Sequence, residues 1–122
     1  MMLETFEDIL PIFGAICSGS ALPLSCGIWL THENYTQELK EKILWFVHDY
    51  QDSISFYREG FHQSDIIFKN NSIIRFIVPN ENQRGHRFHF SVYDRDIELD
   101  LINNIIIPKS CAGFRPKPIK MN

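Results

Sequence analysis

The sequence lacks the cysteine pattern of a small disulfide-bonded or zinc-binding domain. Its three cysteines, Cys17, Cys26 and Cys111, are odd in number and show no CxxC spacing, so we expect buried free thiols in a reducing compartment. The chain has 122 residues, which is enough to bury a hydrophobic core without disulfides or metals. The absence of a cysteine framework therefore predicts a domain that folds through its own core.

Long apolar runs and a basic leader are missing as well. No apolar run approaches the ~18 residues that a membrane span needs. The residues Glu4, Glu7 and Asp8 stand where a signal peptide would carry lysines. These absences predict a cytoplasmic protein with no membrane partner.

An overall positive charge is also absent. The formal net charge of -3 argues against a protein that coats nucleic acid through its total charge. Positive charge is nevertheless concentrated in residues 108–122, which carry Lys109, Arg115, Lys117 and Lys120 and no acidic residue. The three prolines of this segment predict a basic tail without regular structure. Any contact with DNA must therefore be local, and this tail is one candidate for it.

The spacing of apolar residues in the rest of the chain predicts an α/β fold in a single globular domain, residues 1–107. The predicted elements are two main helices at 3–17 and 34–50, strands at 26–30 and 88–93, and a β-hairpin at 65–78. Residues 51–64 are interpreted as a linker, and residues 99–107 as a short helix that runs into a β-branched strand. We therefore expect a small mixed sheet of four to five strands packed by the two helices.

Residues 65–96 place a hairpin, an Arg-Gly loop and a strand that ends in an acid one after another. The segments are Phe68-Lys69-Asn70-Asn71-Ser72-Ile73-Ile74, then Arg84-Gly85-His86-Arg87, then Phe88 to Tyr93 before Asp94. This order resembles the large terminase ATPase family of tailed phages, which places an F-x-N-G-S-x-I hairpin before an Arg-Gly loop and a strand closing in paired acids. The resemblance covers residues 26–96 and implies a DNA-packaging scaffold of phage or prophage origin, in the cytoplasm of a host cell.

Two departures from the pattern of that family argue against ATP hydrolysis. The resemblance implies that Asp94 takes the place of the acid that holds Mg²⁺, but the second acid position falls on Arg95, which cannot orient an attacking water as a base. The glycine spacing of a phosphate loop occurs from Gly14 to Ala21, but Ser20 stands in place of its lysine and Ala21 in place of its hydroxyl. We therefore expect no catalytic residue, no metal and no cofactor.

Binding through surface contacts is the function that the sequence favours. The candidate contact residues are Arg84, Gly85, His86, Arg87, Asp94, Lys109, Arg115, Lys117 and Lys120. The expected partner is a phage or host protein, or DNA held through Arg84, Arg87 and the tail. A solvated turn that pairs with Glu81 is the alternative for the loop. Trp45 and the aromatic residues of the linker either anchor a partner or cap the core.

Two other functions stay open at this point. In one, the chain inhibits a host enzyme or defence complex by occupying a surface. In the other, it is a partial subunit of a DNA-packaging ATPase and gains its phosphate loop from another polypeptide.

Overall fold

The computed structural model describes residues 5–32, 35–60, 63–80, 87–111 and 114–121. The helices are α1 Phe6–Gly19, α2 Gln37–Asp49 and α3 Leu99–Leu101, and the strands are β1 Ser25–Trp29, β2 Ile54–Glu59, β3 Gln63–Phe68, β4 Ile73–Ile77, β5 Phe90–Asp94 and β6 Lys117–Ile119. Helix α3 continues as a π-helical turn, Ile102–Ile106, and a 3₁₀ turn, Ile107–Lys109. We call these three pieces the 99–109 segment. Within the described ranges, no helix has the length and apolarity required to cross a membrane.

The six strands of the described residues lie in one mixed sheet with the order β2-β3-β4-β1-β5-β6. Strands β4, β1, β5 and β6 run parallel to one another, whereas β2, β3 and β4 pair antiparallel in sequence order. Parallel neighbours need crossover connections; α2 lies in the connection that leaves β1, and the 99–109 segment lies in the one that leaves β5. The predicted α/β class is confirmed, with six strands where four to five were expected and with α3 at the start of the predicted short helix.

Helices α1 and α2 cover one face of the sheet. Their buried side chains form a hydrophobic core with the apolar residues of the strands; this core includes Phe6, Leu10, Phe13, Leu39, Ile43, Phe46, Ile28, Ile74, Phe76 and Val92. Burying each such side chain contributes about 1.5–3 kcal/mol relative to leaving it in water. This core fixes the positions of the four parallel strands.

The 99–109 segment covers part of the opposite face, where Trp29 and Phe88 meet at the centre of a second buried cluster. Their rings contact edge to face with centroids 5.7 Å apart. The ring of Phe88 lies directly over Gly27 of β1, and a Cβ at that glycine would be 2.8 Å from the ring. The missing side chain of Gly27 therefore lets Phe88 pack flat on the sheet.

Local capping chemistry sets the element boundaries. Thr5 and Asp8 form a capping box at the start of α1. Helix α2 is capped by Thr36, whose hydroxyl accepts from Leu39 N at 3.4 Å, so it begins at Gln37 and not at residue 34. The predicted hairpin turn is confirmed, because Asn71 has the left-handed φ of 70°.

The prediction that residues 51–64 are a linker was wrong, since β2 and the start of β3 lie there. The prediction that residues 105–107 form a strand was also wrong. Ile105 and Ile106 are buried in helical turns against the sheet, because the apolar positions Ile102, Ile105 and Ile106 have helical spacing that outweighs their β-branched character.

The prediction of an irregular tail was wrong at residues 117–119, which form β6. This strand pairs parallel with β5, with Tyr93 opposite Pro118 and Asp94 opposite Ile119. Proline is tolerated here because β6 is an edge strand of the described sheet, with an isolated bridge from Thr5 to Lys120 beyond it. The end of the described chain therefore belongs to the sheet.

Candidate functional site

The predicted contact residues fall at opposite ends of the parallel strands. We call these two sides of the sheet its amino-terminal edge and its carboxyl-terminal edge. Arg87 lies just before β5, and Asp94 is the last residue of that strand. At a rise of ~3.3 Å per residue, this places the two residues roughly 20 Å apart. Arg87 and Asp94 therefore cannot form one site. The predicted contact residues Arg84, Gly85 and His86 lie outside the described residues.

Arg87 is held at the amino-terminal edge of the sheet by its backbone. Its carbonyl oxygen accepts a hydrogen bond from the Ser25 hydroxyl at 2.9 Å, and the Nδ1 atom of His89 accepts one from Ser25 N at 3.1 Å. At the end of the 99–109 segment, the carbonyl of Lys109 accepts a hydrogen bond from Phe88 N at 2.8 Å. The start of β1 and the end of the 99–109 segment thus clamp residues 87–89 between them.

Arg115 and Lys117 approach the same edge from the other side of β5. Lys117 pairs with Val92 in the parallel register of β5 and β6, so the residues that precede Lys117 lie beside the beginning of β5. The ring contact between Phe114 and Phe90, with centroids 4.5 Å apart, agrees with this placement. Lys120 lies at the other end, where its carbonyl accepts from Phe6 N at 2.7 Å.

The structure therefore places three predicted residues, Arg87, Lys109 and Arg115, at the amino end of β5, with Lys117 beside the middle of that strand. We call these four residues the basic edge. Arg87, Arg115 and Lys117 are exposed, and Phe114 between them is 54% exposed. The described segments that meet here, residues 20–25, 87–90, 107–111 and 114–117, contain no aspartate or glutamate. The exposed side chains of Arg87, Arg115 and Lys117 therefore have no acidic residue beside them within these segments.

Asp94 is fully buried at the end of β5. Its Oδ1 accepts from Asp96 N at 3.0 Å, and the Thr31 hydroxyl lies 3.4 Å from its Oδ2. Burial raises the pKa of this carboxyl, which the hydrogen bonds from Asp96 N and Thr31 partly offset. Arg95, in the second acid position of the resemblance, is exposed. In this arrangement the carboxylate of Asp94 holds the turn that follows β5.

The glycine spacing of the phosphate-loop comparison lies inside α1. Gly14 and Gly19 are both helical residues, and a Cβ at Gly14 would be 2.8 Å from the ring of Phe46. Close packing between α1 and α2 therefore accounts for Gly14.

A cavity of about 320 Å³ lies at the carboxyl-terminal ends of β1, β4 and β5. Its lining residues are Leu30, Thr31, His32, Val78, Pro79, Asp96, Ile97, Glu98 and Leu101. The sequence interpretation missed this cavity because its walls come from three distant segments and share no motif. The available signal was that each segment directly follows a parallel strand.

An apolar patch on α2 is a third surface feature. Leu44 and Trp45 are 52% and 69% exposed, and with Glu41 and His48 they line a shallow depression. Large apolar side chains that stay in water are a mark of interaction surfaces.

Within the described ranges, no group of three or more histidine, cysteine, aspartate or glutamate side chains is arranged to hold a metal ion. Known protein families, curated proteins and solved structures were each searched, and none matches this chain.

Proposed function

We propose that the protein acts by binding and that nucleic acid binds along the basic edge. The observation that carries this proposal is that three separate segments place Arg87, Lys109 and Arg115 at the amino end of β5, with Lys117 beside the middle of that strand. In the same proposal, the scaffold is a small phage-type relative of the terminase ATPases, as the sequence of residues 26–96 suggests.

The chemistry of the basic edge suits a phosphate backbone. Guanidinium and ammonium groups neutralise phosphates and release condensed counterions, which makes the affinity fall steeply with salt. The exposed ring of Phe114 stands among these cations and offers a surface on which a base can stack. Cations interleaved with an exposed aromatic ring favour single-stranded over double-stranded nucleic acid.

The test is a fluorescence anisotropy titration of labelled single-stranded and double-stranded oligonucleotides over a series of salt concentrations. An Arg115→Ala/Lys117→Ala variant removes two cations from the basic edge. An Arg95→Ala/Lys120→Ala variant is its matched control, since it also removes one arginine and one lysine, both exposed, from the opposite edge.

The basic-edge variant is expected to lower the slope of log affinity against log salt by about 1.4 for a single strand, at ~0.7 per phosphate contact. The control variant is expected to keep the slope of the original protein. Equal slopes in the two variants would show that nucleic acid does not use this edge. A Phe114→Leu variant should weaken single-stranded binding more than double-stranded binding.

Protein binding through the apolar patch of α2 is a second candidate function, favoured by the exposure of Leu44 and Trp45. This candidate includes inhibition of a host enzyme or defence complex. Trp29 is fully buried, so iodide quenching of fluorescence reports mainly on Trp45. This candidate is supported if a host protein is retained in stoichiometric amount and shields Trp45 from iodide. The Trp45→Ser variant should then no longer retain that host protein. Retention that survives Trp45→Ser would exclude this patch.

A further inference from the structure

The connections that leave β1 and β5 diverge. Strand β1 leads through α2, on one face, towards β2, β3 and β4, whereas β5 leads through the 99–109 segment, on the opposite face, towards β6. Strands β1 and β5 are neighbours. In open parallel sheets such a divergence leaves a crevice beyond the carboxyl ends of the two strands, which is the usual location of ligand sites.

The cavity of about 320 Å³ lies at this crevice. Its volume is at the lower end of the range for small-molecule sites, ~300–1,000 Å³. Leu30, Val78 and Ile97 are buried and give it an apolar interior. Thr31, His32, Asp96 and Glu98 supply polar groups around this interior, and a combination of apolar and polar walls is typical of small-molecule sites.

Among the described residues that line the cavity, the two carboxylic acids Asp96 and Glu98 carry the formal charge. Asp96 and Glu98 both line it and are both exposed. Among the described residues, neither carboxylate takes part in an ion pair or a side-chain hydrogen bond. Arg95 lies on the same turn but does not line the cavity. A ligand with an anionic group would meet two carboxylates here, whereas a cation would be attracted to them.

We propose that this cavity binds a small organic cation, an amine or amidine that carries an apolar body. The cationic group lies between Asp96 and Glu98, and the apolar body packs against Leu30 and Ile97. This site is separate from the basic edge, at the opposite edge of the sheet, and does not depend on nucleic-acid binding.

Benzamidine and benzoate, which have nearly the same shape and opposite charge, are the probes for this site. We expect benzamidine, titrated at millimolar concentrations into ¹⁵N-labelled protein, to shift the amide resonances of Thr31, Ile97 and Leu101. Benzoate should leave these resonances in place. An Asp96→Asn/Glu98→Gln variant should bind benzamidine about threefold or more weakly, as expected for the loss of two exposed charge contacts.

Asp100→Asn is the control, because Asp100 is an exposed acid two residues after Glu98 and does not line the cavity. It should bind benzamidine as the original protein does. The proposal is overturned if benzoate shifts the same amides as strongly, if benzamidine shifts none of them, or if the double variant binds as tightly as the control. The same spectra show whether each variant is folded. Oligonucleotide anisotropy, measured separately, distinguishes a failure here from a failure at the basic edge.

Discussion

At the residue scale, two buried aspartates have opposite environments. Asp65 on β3 receives hydrogen bonds from Arg75 and Arg58, and these arginines and Gln63 outweigh its burial, so that its pKa is lowered. Asp94 has no cation within such reach among the described residues, and burial raises its pKa. The folded state therefore favours the charged form of Asp65 and the neutral form of Asp94.

Asp65 is expected to make the fold sensitive to acid. Because its pKa is lower in the folded than in the unfolded chain, its contribution to stability is full above the unfolded pKa of about 3.8 and is lost as the pH falls below it.

Removing one partner of Asp65 with Arg75→Met should cost about 3 kcal/mol at neutral pH. Urea unfolding measures both effects. An Asp65→Leu/Arg75→Met variant should recover most of the loss, and a double variant as unstable as the single one would contradict this account.

Asp94→Asn is expected to stabilise the protein at neutral pH by about 1 kcal/mol, because it removes the cost of a buried charge. The amide oxygen of asparagine can still accept from Asp96 N. A raised folded pKa means that stability falls as the pH rises from the unfolded value through the folded value. The gain should therefore shrink below the unfolded value of about 3.8. If urea unfolding shows a loss at neutral pH, the charge of Asp94 is needed for the fold.

At the scale of elements, the sequence predicts those helices and strands that a local spacing of apolar and turn residues specifies. Helices α1 and α2, strands β1 and β5, and the hairpin of β3 and β4 follow from apolar periodicity and turn residues. Strand β2 gives no such signal, because only Ile54 of its six residues is buried. Strand β6 has three residues with a proline in the middle, and its pairing with β5 is non-local. Register and sheet order, which create the basic edge and the cavity, are equally non-local.

The contact between β1 and Phe88 gives a test of this packing. Gly27→Ala should lower the free energy of unfolding by about 1–3 kcal/mol, since its Cβ would lie 2.8 Å from the ring of Phe88. Gly19→Ala is the control, because nothing lies within 4 Å of its Cβ position and alanine favours a helix. Thermal unfolding should show a lower midpoint for Gly27→Ala alone. Equal midpoints would mean that Phe88 does not pack closely over β1.

At the scale of the whole molecule, charge is divided along the parallel strands. The basic edge lies towards their amino ends, while Asp94 ends β5 and Asp96 and Glu98 follow it at the carboxyl ends. A net charge of -3 therefore conceals one edge where cations collect, while the other edge carries the acids Asp96 and Glu98 together with the cations Arg95 and Lys120. This division supports nucleic acid at one edge and a small cation at the other as separate proposals.

The reactivity of the three thiols can show which side of the molecule contacts nucleic acid. Cys17 and Cys26 are buried with their sulfurs 3.7 Å apart, and the hydrogen bond with Cys17, together with burial, raises the pKa of Cys26. Cys111 is partly exposed at the basic edge, where its N–H donates to the carbonyl of Phe88. In the folded protein, a thiol reagent should therefore react fastest with Cys111, and Cys17 and Cys26 should react only after unfolding.

A saturating single-stranded oligonucleotide is expected to slow the reaction of Cys111 severalfold, because the bound strand covers the basic edge. The rate is measured by absorbance with a chromogenic disulfide reagent, with salt high enough to release the strand as one control. The Arg115→Ala/Lys117→Ala variant is the other control, and it should lose the protection while Arg95→Ala/Lys120→Ala keeps it. If anisotropy shows binding while the rate at Cys111 is unchanged, the nucleic acid occupies a different surface.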